Sequence, residues 1–463
     1  MGILTRFMRR LKGTKDNGGS AQEEIEGALD HFIQQVESKV KAREMYPLIR
    51  AELYDHMQSR VDEEIRLGAS LADAEAAAVR QMGEPLETAR QLNKVHRARW
   101  PWLLWLLLVV WISISCLTMY IYEMKPSDPY GLSLTTKHIY MMGIGMIFFM
   151  VICAIDYRKW LNKGMFILML ILATMVAAQM FGMKVNGHTF LNLGFNTYIN
   201  IFSLSPFPLL LGLYLWYTQI QQQSTSSLKR KEWKLLFISM VPILFYVYEL
   251  RFFAIMIYMT GLVLLWSKWL RISWKRIGIF IGMLCIGGLS LLASSDYIRR
   301  RLISWMEYGI FQGEGKGGDS YVYDQTRAAL TEAGWLGHGL TDTLHIPYLF
   351  SENMTLFIIY TFGWIGGLLL LAVFGLLVGV MYRLAANVKH ELGRGIMRLA
   401  ATYMMLHAVL YILGLTNVIP LNGGGMPLLS YGGGNIILWM FVLGLFCNVY
   451  IRKDMIPVMK STT

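Results

Sequence analysis

Apolar positions recur at helical spacing through the first hundred residues, and beyond that point they merge into runs long enough to cross a bilayer. Ile25, Leu29, Phe32, Ile33 and Val36 keep a 3.6-residue rhythm, and after Pro47 so do Ile49, Leu53, Met57, Val61 and Ile65. Two amphipathic helices are predicted there. Gly68 is placed to stop the second, and Ser70 with Asp73 three residues on reads as an N-cap with an acid at N3. The stretch AEAAAVRQMG then ends at Gly83, ahead of a new start at Glu84 and Pro85. The pattern predicts a small helical domain of four helices over 21–98. Residues 1–20 end in a Gly, Ser and Asn stretch and read as a flexible lead.

From residue 99 the pattern changes to about ten apolar runs, at 100–122, 136–154, 164–183, 199–218, 233–248, 250–267, 276–294, 353–382, 398–419 and 430–451. The predicted fold is therefore all-α. It is a polytopic membrane protein whose ten-helix membrane domain, 99–455, follows the helical domain and ends in a short tail, 456–463. One connection is far longer than the rest, 295–352. It holds the flexible composition FQGEGKGGDS and then YVYDQTRAALTEAGWLGHGL, which has the periodicity of a short helix closed by Gly334, Gly337 and Gly339. A second irregular stretch, NVIPLNGGGMPLLSYGGGN, separates the last two runs. Non-helical backbone at that depth is tolerated where protein or a watery cavity satisfies its polar groups, so a ligand cavity is the expected reading and a tight turn the plainer one.

Composition agrees with the pattern: 55% of the 463 residues are hydrophobic and mean hydropathy is +0.41. The formal charge of +12 sits in the short connections, at Arg158, Lys159 and Lys163, at Lys229 to Lys231, at Lys268 to Arg276, at Arg383 to Arg398 and at Arg452 and Lys453. That distribution follows the positive-inside rule and implies membrane orientation rather than nucleic acid, with both termini cytoplasmic. Arg299 to Arg301 are the exception, on the outer side. No cleavable signal is expected, because the first hundred residues are polar and basic. Cys116, Cys153, Cys285 and Cys447 lie singly in apolar runs with no CxxC spacing, so no metal site is assigned and the four read as small core residues. A charged pair inside a run, Glu249 with Arg251, needs either a function or partners, in each other or in the outer loop.

Two resemblances emerge from these residues. The helical domain, with AELYDHM and GASLADAEAAAVRQMGEP, is similar to the permease-prefix or HAAS-like modules that precede some bacterial membrane domains. It reads equally as a module for a cytoplasmic partner or as a passive folding unit. The run IPLNGGGMPLLSYGGG resembles the closing signature of the SEDS family (FtsW, RodA and SpoVE), with Pro420, Gly423, Pro427, Ser430, Tyr431, Gly432 and Gly433 at its positions. Upstream, Tyr321, Gln325, Gly334, Gly337 and Gly339 fall on the family's Tyr, Gln and Gly-x-x-Gly-x-Gly. IPYLFSE lies over its Leu-Pro-Glu-x-His-Thr-Asp, and FGWIGG continues the register.

The resemblance implies a peptidoglycan glycosyltransferase that polymerises lipid II, or a related undecaprenyl-linked saccharide, at the outer face of the cytoplasmic membrane, for shape, division or sporulation. A class B penicillin-binding protein is the implied partner; no cofactor is implied with certainty, and a divalent cation stays open. A sugar hydroxyl must lose its proton as it displaces a lipid pyrophosphate, which calls for a positioned base. The family's catalytic Asp falls on Glu352. Arg327, Gln325, Pro427, Ser430, Tyr431, Gly432 and Gly433 are the implied substrate-binding residues, and Asp342 and Asp324 are next in line as base. There are departures. The outer stretch NGHTFLNLGFNTYINIFSLSP keeps Asn186, Gly187 and Gly194 but lacks the family's arginines, Gln-Pro-Ser-Glu and lysine, YELRF stands for its Pro-Asp-Leu-Gly-Thr, and Phe350 replaces a His. Two alternatives therefore stay open: a non-catalytic homologue that scaffolds or regulates wall synthesis, and a transporter of a lipid-linked substrate, although no repeated pair of broken spans supports the latter.

Overall fold

The computed structural model describes residues 21–41, 45–95, 99–124, 133–185, 188–192, 198–223, 228–269, 274–275, 277–279, 281–282, 296–310, 318–340, 349–419 and 424–454. The run expected to span 276–294, the stretch 311–317, Asp342, Asn186, Gly187, Gly194, Pro420 and Gly423 lie wholly or largely outside them. The chain forms two compact units, 1–99 with 452–463, and 100–451.

The first unit holds four helices: α1 (Ala21–Lys39), α2 (Tyr46–Arg66), α3 (Leu71–Gln81) and α4 (Pro85–Val95). The apolar stripes of α1 and α2 supply its core, in which Phe32, Ile33, Val36, Ile49 and Met57 are buried together with Ala89 of α4. Ser70 caps α3 in extended backbone (φ −63°, ψ 155°), its Oγ accepting from the Asp73 amide at 3.3 Å and donating to the Asp73 carboxylate at 2.6 Å. Asn93 ties the end of α1 to α4, accepting from the Lys41 amide and donating to the Lys39 carbonyl. Arg50 grips Glu37 with two nitrogens, at 3.1 and 3.0 Å, and this fork raises the Arg50 pKa against the opposing effect of burial.

The second unit is built from α5 (Trp102–Glu123), α6 (Ser133–Ala154), α7 (Gly164–Phe181), β1 (Met183–Val185), β2 (His188–Asn192), β3 (Tyr198–Ile199), α8 (Ile201–Leu204), α9 (Pro206–Gln223), α10 (Leu228–Tyr248), α11 (Phe252–Leu264), α12 (Asp296–Ser304), α13 (Gly318–Glu332), α14 (Leu349–Glu352), α15 (Met354–Ala386), α16 (Glu391–Leu415) and α17 (Gly433–Ile451). Among the described residues six helices are long and apolar enough to cross a membrane: α5, α6, α7, α15, α16 and α17. Trp233–Tyr248 and Phe252–Ser267 are shorter apolar helices. The helical, polytopic fold expected from the pattern is thus present. Lipid-facing side chains such as Leu106, Ile147 and Leu369 stay exposed in the isolated chain, as a bilayer solvent requires. Helix contacts use small residues, as where Gly145 of α6 leaves no room for a Cβ beside Ile436 of α17, and Gly212 of α9 none beside Leu168 of α7.

Two features depart from plain spans. The stretch before α9 folds into a small antiparallel sheet in the order β1-β2-β3, pairing Val185 with His188 and Asn192 with Tyr198. Asn186-Gly187, the two residues between β1 and β2, are a strong hairpin signal. The expectation of an all-helical membrane part passed over it.

The other departure is α15. Its 33 residues would extend about 50 Å if straight, more than the ~30 Å hydrocarbon core requires. It breaks at Gly363 (φ 74°, ψ −177°). The segment following α13 fits into the break. His338 and Gly339 donate their amides to the Tyr360 and Thr361 carbonyls at 3.0 and 3.1 Å, while Trp364 and Ile365 donate theirs to Gly334 and Trp335 at 3.0 and 3.3 Å. A Cβ on Gly363 would sit 2.1 Å from the Trp335 carbonyl oxygen, and one on Gly337 would sit 2.3 Å from that of Thr361. The glycine spacing of GWLGHG and of FGWIGG is therefore the requirement of one backbone clasp.

Candidate functional site

Glu352 ends the short helix α14, half-buried, directly before Asn353 and the start of α15. Its position is set by the glycine-rich stretch before α17. The Tyr431 amide donates to the Phe350 carbonyl at 3.0 Å, and the Tyr431 and Phe350 rings meet edge to face at 5.9 Å. Gly425, in left-handed backbone (φ 52°), packs so closely that a Cβ there would lie 2.6 Å from Ser430 Oγ and 3.3 Å from the Ser351 carbonyl. The stretch is anchored from behind. Trp111 Nε1 of α5 donates to the Pro427 carbonyl at 2.7 Å, and Ser115 Oγ donates to the Leu429 carbonyl at 3.2 Å and lies 2.8 Å from His138 Nε2. Ser430 Oγ is buried and has no hydrogen-bond partner among the described residues.

The turn between α10 and α11 supplies the other charges. Leu250 adopts a left-handed conformation (φ 53°) and the Arg251 amide returns to the Tyr246 carbonyl at 2.9 Å, which ends α10 and starts α11 within three residues. Glu249 is buried and held by neighbours: Oε1 accepts from Gln179 Nε2 and Thr189 Oγ1, both at 2.7 Å, and Oε2 accepts from the Thr189 amide at 2.9 Å. Of the two roles open to this carboxylate, the geometry shows the structural one, pairing with the β2 stretch. Arg251 lies in the field of both Glu249 and Glu352, with its guanidinium carbon 5.9 Å from the centre of the Phe190 ring. Tyr411 of α16 faces Thr355 and also feels the charge of Glu352. One corner of the unit thus gathers Glu352, Arg251, Tyr411, Thr355, Ser430 and Tyr431.

Other residues singled out in the sequence lie elsewhere. Gln325 and Arg327 are on α13, where Arg327 Nη2 donates to the Tyr308 carbonyl. No hydrogen bond, ion pair or ring contact among the described residues joins either to Glu352, Ser430 or Tyr431. Asp324 is on the same helix. Pro427 acts through its carbonyl as an anchor for Trp111. The close backbone approaches of this stretch are at Gly424 and Gly425 rather than at Gly432 and Gly433. A Cβ on Gly432 would meet nothing nearer than Asn435 at 3.7 Å, and one on Gly433 would meet the Met141 sulfur at 3.1 Å, whereas one on Gly424 would strike the Phe253 ring at 2.8 Å. Among the described residues no group of three or more His, Cys, Asp or Glu side chains could hold a metal ion. Gln179, Thr189 and Tyr411 escaped the sequence reading. Each is a lone polar residue in or beside an apolar run, with no local signal that it meets a distant carboxylate.

A helical membrane unit with a broken span, a loop clasped into the break, and a half-buried carboxylate against a Ser-Tyr-Gly-Gly turn defines a class of polytopic membrane protein. The family model of FtsW, RodA and SpoVE, described as cell cycle proteins, matches residues 98–454, and the chain belongs to that family. A probable peptidoglycan glycosyltransferase FtsW of Coxiella burnetii is 24% identical over 69% of this chain and 86% of its own length. Stage V sporulation protein E of Bacillus subtilis is 25% identical over 68% of this chain and 86% of its own. Other FtsW relatives match over less: the shared stretch is 36% of the Thioalkalivibrio protein and 48% of the Geobacter sulfurreducens one. Among solved structures, a chain of a peptidoglycan synthase complex that coordinates polymerization and crosslinking has the same fold, with TM-score 0.61 and 16% identity over 76% of this chain and 98% of that one. Thermus thermophilus RodA follows at TM-score 0.53, with 16% identity over 76% of this chain and 97% of its own. The chain is accordingly a multi-pass membrane protein of the SEDS family.

Proposed function

We propose that the protein is a glycosyltransferase of cell-wall synthesis, polymerising lipid II or a related undecaprenyl-linked saccharide at the outer face of the cytoplasmic membrane. The observation that carries this reading is the placement of Glu352, held at the mouth of α15 by the Phe350–Tyr431 bond and facing Arg251. In the reaction, a hydroxyl oxygen of the acceptor sugar bonds to the anomeric carbon of the donor. The bond from that carbon to the lipid pyrophosphate breaks, and the hydroxyl proton passes to the Glu352 carboxylate. The pyrophosphate leaves on its lipid carrier with the bonding electron pair, and positive groups at that point lower the barrier. The names of the FtsW relatives support the same activity.

A class B penicillin-binding protein is the partner this reading calls for, in line with the synthase complex that shares the fold. The four-helix unit 21–98 stays cytoplasmic in this reading and offers a surface to a cytoplasmic partner, while the long connection holding α12 to α14 lies outside. The deciding experiment is polymer formation from lipid II by the purified full-length protein, with and without class B penicillin-binding proteins. Polymer above a no-enzyme control supports the reading. Its absence under every partner condition, in a strain whose wall phenotype the gene still rescues, favours the scaffold role.

A further inference from the structure

Among the described residues gathered at this corner Arg251 is the cation, and two of its nitrogens have no hydrogen-bond partner. Its Nε and Nη2 are sealed from solvent, and neither has a hydrogen-bond partner among the described residues. No described ion pair within 4 Å includes it. A guanidinium stays charged at any physiological pH and carries five donors in a rigid fork, so leaving two of its nitrogens buried and unmet is costly. The neighbouring carboxylate of Glu249 balances its charge but makes no described hydrogen bond to it, its oxygens being turned to Gln179 and Thr189. Glu249 is thus a fixed counter-charge that braces the turn. The Phe190 ring, 5.9 Å from the guanidinium carbon, covers a face and leaves the N–H edges free. Arg251 also stands immediately before the 13-residue helix α11, whose N-terminal end adds positive potential at the same point.

We infer that Arg251 binds the phosphate oxygens of a polyprenyl pyrophosphate, the buried unpartnered fork between Glu249 and Glu352 being the receptor. This rests on the glycosyltransferase reading above. A bidentate guanidinium matches two phosphate oxygens, and it stands across from the carboxylate assigned the acceptor's proton. As the bond to the anomeric carbon breaks, negative charge grows on the pyrophosphate next to a cation that needs no reorganisation to meet it. The left-handed Leu250 turns the chain so that Arg251 follows Glu249 around the corner, its amide returning to the Tyr246 carbonyl.

The test compares undecaprenyl pyrophosphate with undecaprenol, the same chain without phosphates, binding to full-length protein in detergent, read by tryptophan fluorescence. Wild type is expected to prefer the pyrophosphate at least about tenfold, Arg251→Gln to lose the preference, and Arg251→Lys, which keeps charge without the fork, to retain part of it. Wild type with no preference, or Arg251→Gln with an undiminished one, overturns the inference. Should Arg251→Gln fail to assemble, Arg251→Lys decides, because it preserves the charge facing Glu249 and Glu352; an affinity equal to wild type then contradicts the phosphate role. Polymerisation of lipid II, measured alongside, separates the two claims. Wild-type polymer with an unchanged KM in Arg251→Gln sinks the inference alone, whereas Arg251-dependent phosphate binding without polymer upholds it and sinks the glycosyltransferase reading.

Discussion

The clasp at Gly363 and the corner at Glu352 are both places where a helix of the membrane unit is interrupted, and they meet the interruption in opposite ways. At Gly363 four backbone hydrogen bonds from 334–339 meet carbonyls and amides of α15 on either side of the break, and the match is one of backbone to backbone. At the corner it is side chains that stand out: among the described residues two guanidinium nitrogens of Arg251 and the Ser430 hydroxyl are buried without partners, close to the half-buried Glu352. Buried polar groups are nearly always paired, so the unmet donors of Arg251 and Ser430 are where the proposed function places a ligand's polar atoms. Both regions carry the motifs that resemble the SEDS signature. A sharp motif therefore reports backbone geometry in one case and, in the proposed function, chemistry in the other.

The comparison breaks most readily at the clasp. Gly363→Val puts a branched side chain at φ 74° and within 2.1 Å of the Trp335 carbonyl, and should cost more than about 3 kcal/mol, seen as loss of monodisperse protein on size exclusion. Recovery of wild-type amounts with an unchanged Tm would mean that the loop does not enter the break. Next in size is the brace of the corner. Thr189→Val with Gln179→Leu strips Glu249 of its two side-chain donors, leaving only the Thr189 amide, and should destabilise by about 2 kcal/mol, because a buried carboxylate oxygen loses its partners. Thermal unfolding reads this directly, and adding Glu249→Gln to the pair should recover part of the loss.

Comparable and smaller effects sharpen the contrast within the glycine-rich stretch. Gly425→Ala forces a Cβ against Ser430 Oγ and should cost about 2 kcal/mol. Gly433→Ala meets only the end of the flexible Met141 side chain and should stay within about 0.5 kcal/mol. Equal Tm shifts for the two would show that Gly425 is no more tightly packed than Gly433. The smallest expected change is a gain. Leu250→Gly relieves a left-handed leucine and should raise stability by up to about 1 kcal/mol, while loosening the turn that carries Arg251. A lower Tm in that variant would show that packing of the Leu250 side chain outweighs the backbone strain.

The spans were legible because their signal is local and strong: runs such as Trp102–Glu123 and Gly433–Ile451 declare themselves by length and hydropathy. The Ser70 cap of α3 was legible for the same reason, a three-residue spacing. Glu352 emerged only through resemblance, since a single carboxylate after IPYLFS has no spacing to read. What stayed hidden is long-range. Thr189 and Gln179 are 60 and 70 residues from Glu249, and Trp111 is 316 from Pro427. Periodicity says nothing about such pairs. The hairpin at 183–192 was within reach through Asn186-Gly187, but the weight of the flanking apolar runs concealed it.

The central claim is that Glu352 accepts the proton of the attacking hydroxyl. Glu352→Gln keeps size and polarity and removes only that capacity, so the full-length variant should insert and unfold as wild type does while turnover of lipid II falls by roughly 100-fold or more. Full turnover in Glu352→Gln, at wild-type levels of folded protein, would contradict the account.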